Sequence, residues 1–256
     1  MLAPLRLFGS LCLLVFASPA LKAAPLSVYE SPEEQVAVLE LYTSHGCSSC
    51  PPADAWLRSL TEQPGLWREF IPVAFHVDYW DDLGWPDQFA AGVFSDRQRE
   101  YFRSGHLSSV YTPGFLLRGR EWRGWFGGRA PDLSLGARVG KLSLALQDDR
   151  RALIRFNPKG SANPTQLTAH VAVLGFGLTT AVNAGENRGR SLEEDFVVLG
   201  YRASQQSSAA VWDLALPDVV DASTSRRAIV AWISSDAAPI PVQAVGGWLP
   251  PETQRP

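Results

Sequence analysis

Residues 36–42 (Val36, Ala37, Val38, Leu39, Glu40, Leu41, Tyr42) are apolar except for Glu40. A short run of large and β-branched side chains without alternation predicts a strand buried on both faces. Thr43-Ser44-His45-Gly46 then reads as a turn leading to Cys47-Ser48-Ser49-Cys50. Pro51 and Pro52 follow and suit the first turn of a helix, where a missing N–H costs little. Ala53, Trp56, Leu57 and Leu60 continue at helical spacing, completing a strand, Cys-x-x-Cys, helix order. A second apolar run over 70–77 predicts another buried strand. His76, Asp78, Tyr79 and Trp80 crowd its carboxyl end, where open α/β sheets gather ligand-facing groups. A helix is expected over about 96–104 with Ser95 as its cap. The stretch 109–117, the turn Arg118-Gly119-Arg120 and then Glu121-Trp122-Arg123 predict a strand, a tight turn and a returning strand.

From about residue 142 the pattern changes to alternation. Leu142, Leu144 and Leu146 fall on one side, a turn follows at Asp148-Asp149-Arg150, and Ala152, Ile154 and Phe156 return. Half-buried antiparallel strands have this period of two. The segments 167–176, 196–201, 211–216, 228–234 and 242–248 continue the theme between turn-rich stretches, and about seven such strands predict a β-sandwich. The expected organisation is therefore an α/β domain over 33–140 followed by an all-β, sandwich-like domain over 141–250.

The first two dozen residues stand apart. Arg6 precedes an apolar run over 11–16, followed by Ser18-Pro19-Ala20 and Ala23-Ala24, the layout of a secretory signal peptide over 1–24. The alternative, a membrane anchor, has only about ten mainly apolar residues before Pro19 where a spanning helix needs about 20. The expectation is an exported chain, periplasmic or secreted, with no stable membrane insertion once the leader is removed. Removal also takes away Cys12, leaving Cys47 and Cys50 in a compartment where disulfides persist. With 23 basic and 26 acidic side chains the net charge is -3, which supplies no basic field for nucleic acid.

Three readings of the cysteine pair remain open: a redox-active dithiol, a structural disulfide, or a metal site. So small a loop gives a crosslink modest entropic leverage, which weakens the second. Zinc wants four ligands, and only His45, His76, His106 and His170 are available to join the pair, without recognised spacing, so no metal is expected. No cofactor is expected either, and no Ser-His-Asp order, phosphate-cradling glycine loop or paired carboxylates stand out as a second enzymatic site.

Cys47-Ser48-Ser49-Cys50 between a strand and a helix, with Thr112-Pro113 opening a later strand, resembles the thioredoxin superfamily. More narrowly, Leu-Tyr-Thr-Ser-His-Gly-Cys-Ser-Ser-Cys-Pro-Pro-Ala-Asp (41–54), Phe-His-Val-Asp-Tyr-Trp-Asp (75–81) and Tyr-Thr-Pro (111–113) resemble the exported family DUF1223. The resemblance implies a thioredoxin-like α/β domain. It also implies that Cys47 is an exposed nucleophile, that Cys50 is the resolving thiol, and that Pro113, preceded by Thr112, is a cis-proline shaping a substrate groove. A sulfur at a helix N-terminus faces unpaired N–H groups that favour its thiolate, which agrees with that order. The implied activity is thiol:disulfide exchange on exported proteins or small thiols.

The residues that would tune such a site each carry an alternative. His45 stabilises the Cys47 thiolate as imidazolium, or is an ordinary exposed turn histidine. Glu40 lies near where thioredoxin has a buried proton-shuttling acid, one register off. His76 and Asp78 share a strand face and line a cleft, or are satisfied structural polar groups. Tyr79, Trp80 and Trp85 form an apolar rim, or pack beneath a long loop. Glu186-Asn187-Arg188-Gly189-Arg190 reads as a solvated hairpin connection, with docking against the first domain as the alternative. The rival overall reading is a non-catalytic envelope binding protein whose β domain recognises a protein or glycan and whose disulfide stiffens the helix start.

Overall fold

A computed structural model of the chain describes residues 26–148, 150–159, 167–206, 210–220, 224, 226–235 and 238–250. The expected leader and Asp149 of the expected 148–150 turn lie outside them. In chain order the elements are β1 (Ser27–Glu30), β2 (Ala37–Thr43), α1 (Pro51–Arg58), β3 (Phe70–His76), α2 (Gly92–Arg103), β4 (Gly114–Leu117) and β5 (Arg120–Glu121). They continue as β6 (Gly140–Leu146), β7 (Arg151–Pro158), β8 (Leu167–Phe176), β9 (Leu178–Ala181), β10 (Ser191–Glu194), β11 (Val197–Gln206), β12 (Val211–Ala215), β13 (Arg226–Ser235) and β14 (Ala238–Trp248).

The contiguous apolar runs become β2 and β3, buried along their whole length and paired in parallel from Ala37↔Phe70 to Thr43↔His76. This register brings the ends of both strands, and the loops that follow them, to one place. β4 flanks β2 antiparallel, and β11 flanks β3 in parallel through Val197↔Ala74. The resulting eight-stranded sheet runs β14-β13-β8-β11-β3-β2-β4-β5.

The sheets do not divide at residue 140 as the expected domains do. Strands β8, β11, β13 and β14 extend the sheet begun by β2 and β3, and only β6, β7 and β12 join β1 in the opposing sheet, ordered β1-β6-β7-β12. The reason lies in β8 and β13, which are buried on both faces. On one face Ala172, Leu174, Phe176, Ala228, Val230 and Trp232 continue the core of β2, β3 and α1. On the other, Leu167, Ala169, Val171, Ile229, Ala231 and Ile233 pack on Leu142, Leu144, Leu146, Ala152, Ile154 and Phe156. A strand serving two cores loses the alternation of a half-buried one.

Helix α2 starts at Gly92, four residues ahead of the expected start, and its N-cap is Ala91. Ser95 lies within the helix, where its hydroxyl donates to the Asp78 carboxylate and accepts from Asp78 N at 3.2 Å. Of the strand expected over 109–117, only Gly114–Leu117 pairs, and it turns back through Arg118 and Gly119, both at positive φ.

Candidate functional site

The chain leaves β2, turns through Ser44-His45-Gly46 and enters α1, with Cys50 as its N-cap and Pro51 and Pro52 at its first positions. Cys47 and Cys50 are bonded to each other, their Cα atoms 5.5 Å apart. The Cys50 carbonyl accepts from Ala53 N at 2.8 Å and Asp54 N at 3.1 Å, which locks the helix start. Ser48 and Ser49 between the cysteines are exposed, and Ser49 Oγ lies 3.3 Å from Cys47 Sγ. The resemblance implied an exposed Cys47. The structure leaves it 1% exposed and Cys50 0%.

The loop 182–190 between β9 and β10 docks on the backbone of this cysteine segment rather than lying solvated. Asn187 Nδ2 donates to the carbonyls of His45 at 2.8 Å and Cys47 at 2.9 Å, and its Oδ1 accepts from Arg190 Nη1 at 2.8 Å. Glu186 Oε2 accepts from Ser48 N at 3.0 Å. The loop comes close where Gly84 and Gly185, both at positive φ, meet backbone to backbone; a Cβ on Gly84 would lie 3.5 Å from Gly185 Cα.

Behind the disulfide is a buried cluster built from four segments: His45 after β2, His76 at the end of β3, Asp87, and Glu194 at the end of β10. His45 Nε2 lies 2.7 Å from Glu194 Oε2, and its Nδ1 lies 3.1 Å from Asp87 Oδ1. His76 Nδ1 lies 2.7 Å from Asp87 Oδ2, and its Nε2 lies 3.7 Å from Glu194 Oε1. Each imidazole thus spans the same two carboxylates. Backbone N–H groups of His45 and Phe89 hold the two Asp87 oxygens at 2.8 and 3.0 Å. Burial opposes charge on His76, but the Asp87 carboxylate against its Nδ1, aided by Glu194 and Asp54, lifts it to about 9. Asp87 is correspondingly held below the ordinary carboxylate range: its burial is outweighed chiefly by His76 and then by His45. Asp54, one helical turn after Cys50, completes the group, and its burial together with the Glu194 charge pushes it up to about 8. One ligating atom from each of His45, His76 and Asp87 lies within 4.8 Å of the other two, so these residues form a candidate metal-binding set.

The other expected site residues go elsewhere. Glu40 is buried, but it accepts from Arg97 Nε at 2.8 Å and Nη2 at 3.0 Å, and from the hydroxyls of Tyr42 at 2.9 Å and Tyr101 at 2.6 Å. Its bonds run to α2 and along its own strand, not to the cysteines, because positions 40 and 42 share one face of β2. Asp78 is bound to Ser95, whereas its expected companion His76 joins the buried cluster. His45 is 1% exposed, unlike an ordinary turn histidine, and its ring bonds carboxylate rather than sulfur. The Thr112–Pro113 bond is cis, and Thr112 Oγ1 accepts from Trp80 Nε1 at 2.8 Å. A Cβ on Gly46 would lie 3.0 Å from Trp80 Cβ, so Trp80 stands between the residue before Cys47 and Thr112.

The sequence singles out neither Asp54, Asp87 nor Glu194, and it offers Asn187 only within the loop 186–190, whose docking is the alternative to a solvated connection. Asp54 had a signal, since it lies four residues after Cys50 on a predicted helix and so shares its face. Asp87 and Glu194 carry none, because tertiary folding alone brings them to the site.

Fold and site together define a mostly-β protein dominated by one large mixed sheet, with a buried Cys-x-x-Cys disulfide at a helix start. The chain belongs to DUF1223, described as a family of unknown function, whose sequence pattern matches residues 38–234. It is similar to the crystal structure of a protein from Agrobacterium tumefaciens, with 24% identity, a TM-score of 0.56, and coverage of 84% of this chain and 95% of that one. It is also similar to HBP35 of Porphyromonas gingivalis, with 14% identity, a TM-score of 0.51, and coverage of 84% and 76%. At these identities the likeness concerns the fold alone. No curated protein matches the chain.

Proposed function

We propose that this is an exported thiol:disulfide exchange protein with a thioredoxin-like arrangement around Cys47 and Cys50. The observation that carries the reading is the placement of the pair, bonded to each other at the start of an eight-residue helix. On this reading, removal of residues 1–24 as a leader leaves no other cysteine in the chain. In the reduced form a Cys47 thiolate, favoured by the helix N-terminus, attacks one sulfur of a substrate disulfide and expels the other as a thiolate. Cys50 then attacks Cys47 Sγ, releases the second substrate thiol and closes the Cys47–Cys50 bond, so two electrons pass to the substrate. Run backwards, a substrate dithiol is oxidised. Thr112 and Pro113, beside Trp80, form the wall against which an extended substrate lies. The partners are exported protein thiols or disulfides, or small thiols.

Export rests on the composition of residues 1–24. Its check is the mature N-terminus read by mass spectrometry, expected shortly after Ala24. Among the described residues no helix is long and apolar enough to cross a membrane.

Burial of both sulfurs supports a second reading, a structural disulfide in a binding protein. The reduction potential separates the two: an exchange catalyst lies above about -300 mV, a structural bond below it. A Cys50→Ser variant expressed in cells should accumulate mixed disulfides through Cys47. If it captures no more than a Cys47→Ser control, the exchange reading fails.

A further inference from the structure

We propose that His45, His76 and Asp87 bind a divalent first-row transition metal, with Glu194 orienting both imidazoles from behind. The inference stands apart from thiol exchange and uses neither sulfur.

Three observations converge on it. The first is geometric. Both Nδ1 atoms face Asp87, at 3.1 and 2.7 Å from its two oxygens. Ligands about 2.0–2.1 Å from a tetrahedral metal are spaced about 3.3 Å apart, so a small outward shift of rings already in place admits the ion. Two imidazoles and one carboxylate form a donor set suited to zinc or iron(II). The second observation is a set of orphaned atoms. His45 Nδ1, His76 Nε2 and Glu194 Oε1 are buried and have no hydrogen-bond partner among the described residues, a condition that calls for a physical reason. A metal supplies one reason for all three. It takes the His45 Nδ1 lone pair and displaces the proton from His76 Nδ1. The His76 N–H then lies on Nε2, which faces Glu194 Oε1 across 3.7 Å. Glu194 would accept from His45 on one oxygen and His76 on the other, the arrangement by which an outer carboxylate fixes the tautomer of ligating histidines. The third observation is charge. Once the imidazoles are neutral ligands, the carboxylates of Asp87 and Glu194, with Asp54 beside them, sit in a dry interior that a dication neutralises. The backbone N–H groups of His45 and Phe89 already fix the Asp87 carboxylate, as a ligand requires.

The test uses the full-length mature chain, stripped with chelator, confirmed folded by circular dichroism and titrated with Zn2+. Metal content is measured after gel filtration, and Co2+ serves as a spectroscopic probe of the ligand field. One equivalent of Zn2+ per chain is expected, with d–d absorption on Co2+ loading. Glu194→Gln, which keeps a hydrogen-bonding side chain of the same size, should weaken Zn2+ binding by about 10–100-fold, and Asp87→Asn by more. Because Asp87→Asn risks the fold, the deciding arm is the double variant Cys47→Ser/Cys50→Ser. It should bind Zn2+ as the wild type does. Loss of binding there would assign the metal to thiolates and overturn the proposal, as would a folded wild type that takes up neither ion. Either result leaves the thiol-exchange reading to its own test.

Discussion

Asn187 fastens the loop 182–190 to the backbone of the cysteine segment, and if that loop shields the disulfide, removing Asn187 should make the sulfurs reactive. Substituting Ala deletes three hydrogen bonds: two docking bonds, of 2.8 and 2.9 Å, to the carbonyls of His45 and Cys47, and one of 2.8 Å within the loop from Arg190. The Cys47 carbonyl keeps a bond from Cys50 N, leaving the His45 carbonyl as the costly loss. Each such bond contributes about 0.5–1.5 kcal/mol net, so the docked loop loses about 2 kcal/mol. If a reductant reaches Cys47 only after this loop lifts, the reduction rate follows the lifted population, which rises about thirtyfold for that energy. The assay is reduction by dithiothreitol under native conditions, with thiols trapped by alkylation at intervals and counted by mass spectrometry. A native near-ultraviolet circular dichroism spectrum shows that the fold persists. A control removes core packing far from the loop: Leu144→Ala should leave the reduction rate unchanged. If Asn187→Ala reduces within about threefold of the wild type, the sulfurs are reached without moving the loop, and its role as a cover is refuted.

Other consequences follow from buried groups. Arg97→Met strands the Glu40 carboxylate with two tyrosine hydroxyls and should cost about 3–5 kcal/mol in urea unfolding. Leu144→Ala opens a cavity in the sandwich core and should cost about 2–5 kcal/mol. Because β8 and β13 belong to both cores, fluorescence and disulfide reactivity should still report one unfolding transition; two separated transitions would restore the two-domain division. His170 is buried against Trp232, bonded to Tyr201 and Ser234, and held neutral by burial and by the Arg97 charge well below its ordinary 6.5. Below about pH 6.5 the unfolded chain binds a proton the folded chain refuses, so stability falls with acid by up to about 1.4 kcal/mol per pH unit for this group. His170→Gln should flatten that slope between about pH 6.5 and 5, and an unchanged slope would show His170 protonated in the fold.

Much of the local structure was legible in the sequence. The apolar runs at 36–42 and 70–77 announced strands buried on both faces, and the prolines after Cys50 marked the helix start. The alternation at 142–156 announced β6 and β7. The segment Leu167-Thr168-Ala169-His170-Val171-Ala172-Val173-Leu174 follows alternating neighbours, yet its near-continuous apolar character is that of a strand with two covered faces. A half-buried strand there predicts a separate sandwich, whereas the chain builds one continuous eight-stranded sheet. Helix α2 begins ahead of its expected start because its N-cap, Ala91, has no capping side chain to mark it in the sequence.

The sequence by itself determined what depends on neighbours a few residues apart: which stretches become strands, where α1 begins, and that Cys47 and Cys50 lie within reach of each other. Tertiary structure alone decided what surrounds them. Asn187 is 140 residues from the Cys47 carbonyl it holds, and Glu194 is 149 residues from the His45 ring. No periodicity in the chain encodes such a meeting. It follows from the pairing of β11 beside β3 and β8, which carries the β9–β10 hairpin back to the ends of β2 and β3. There, excluded water turns a turn histidine, a strand-end histidine and two distant acids into one electrostatic unit.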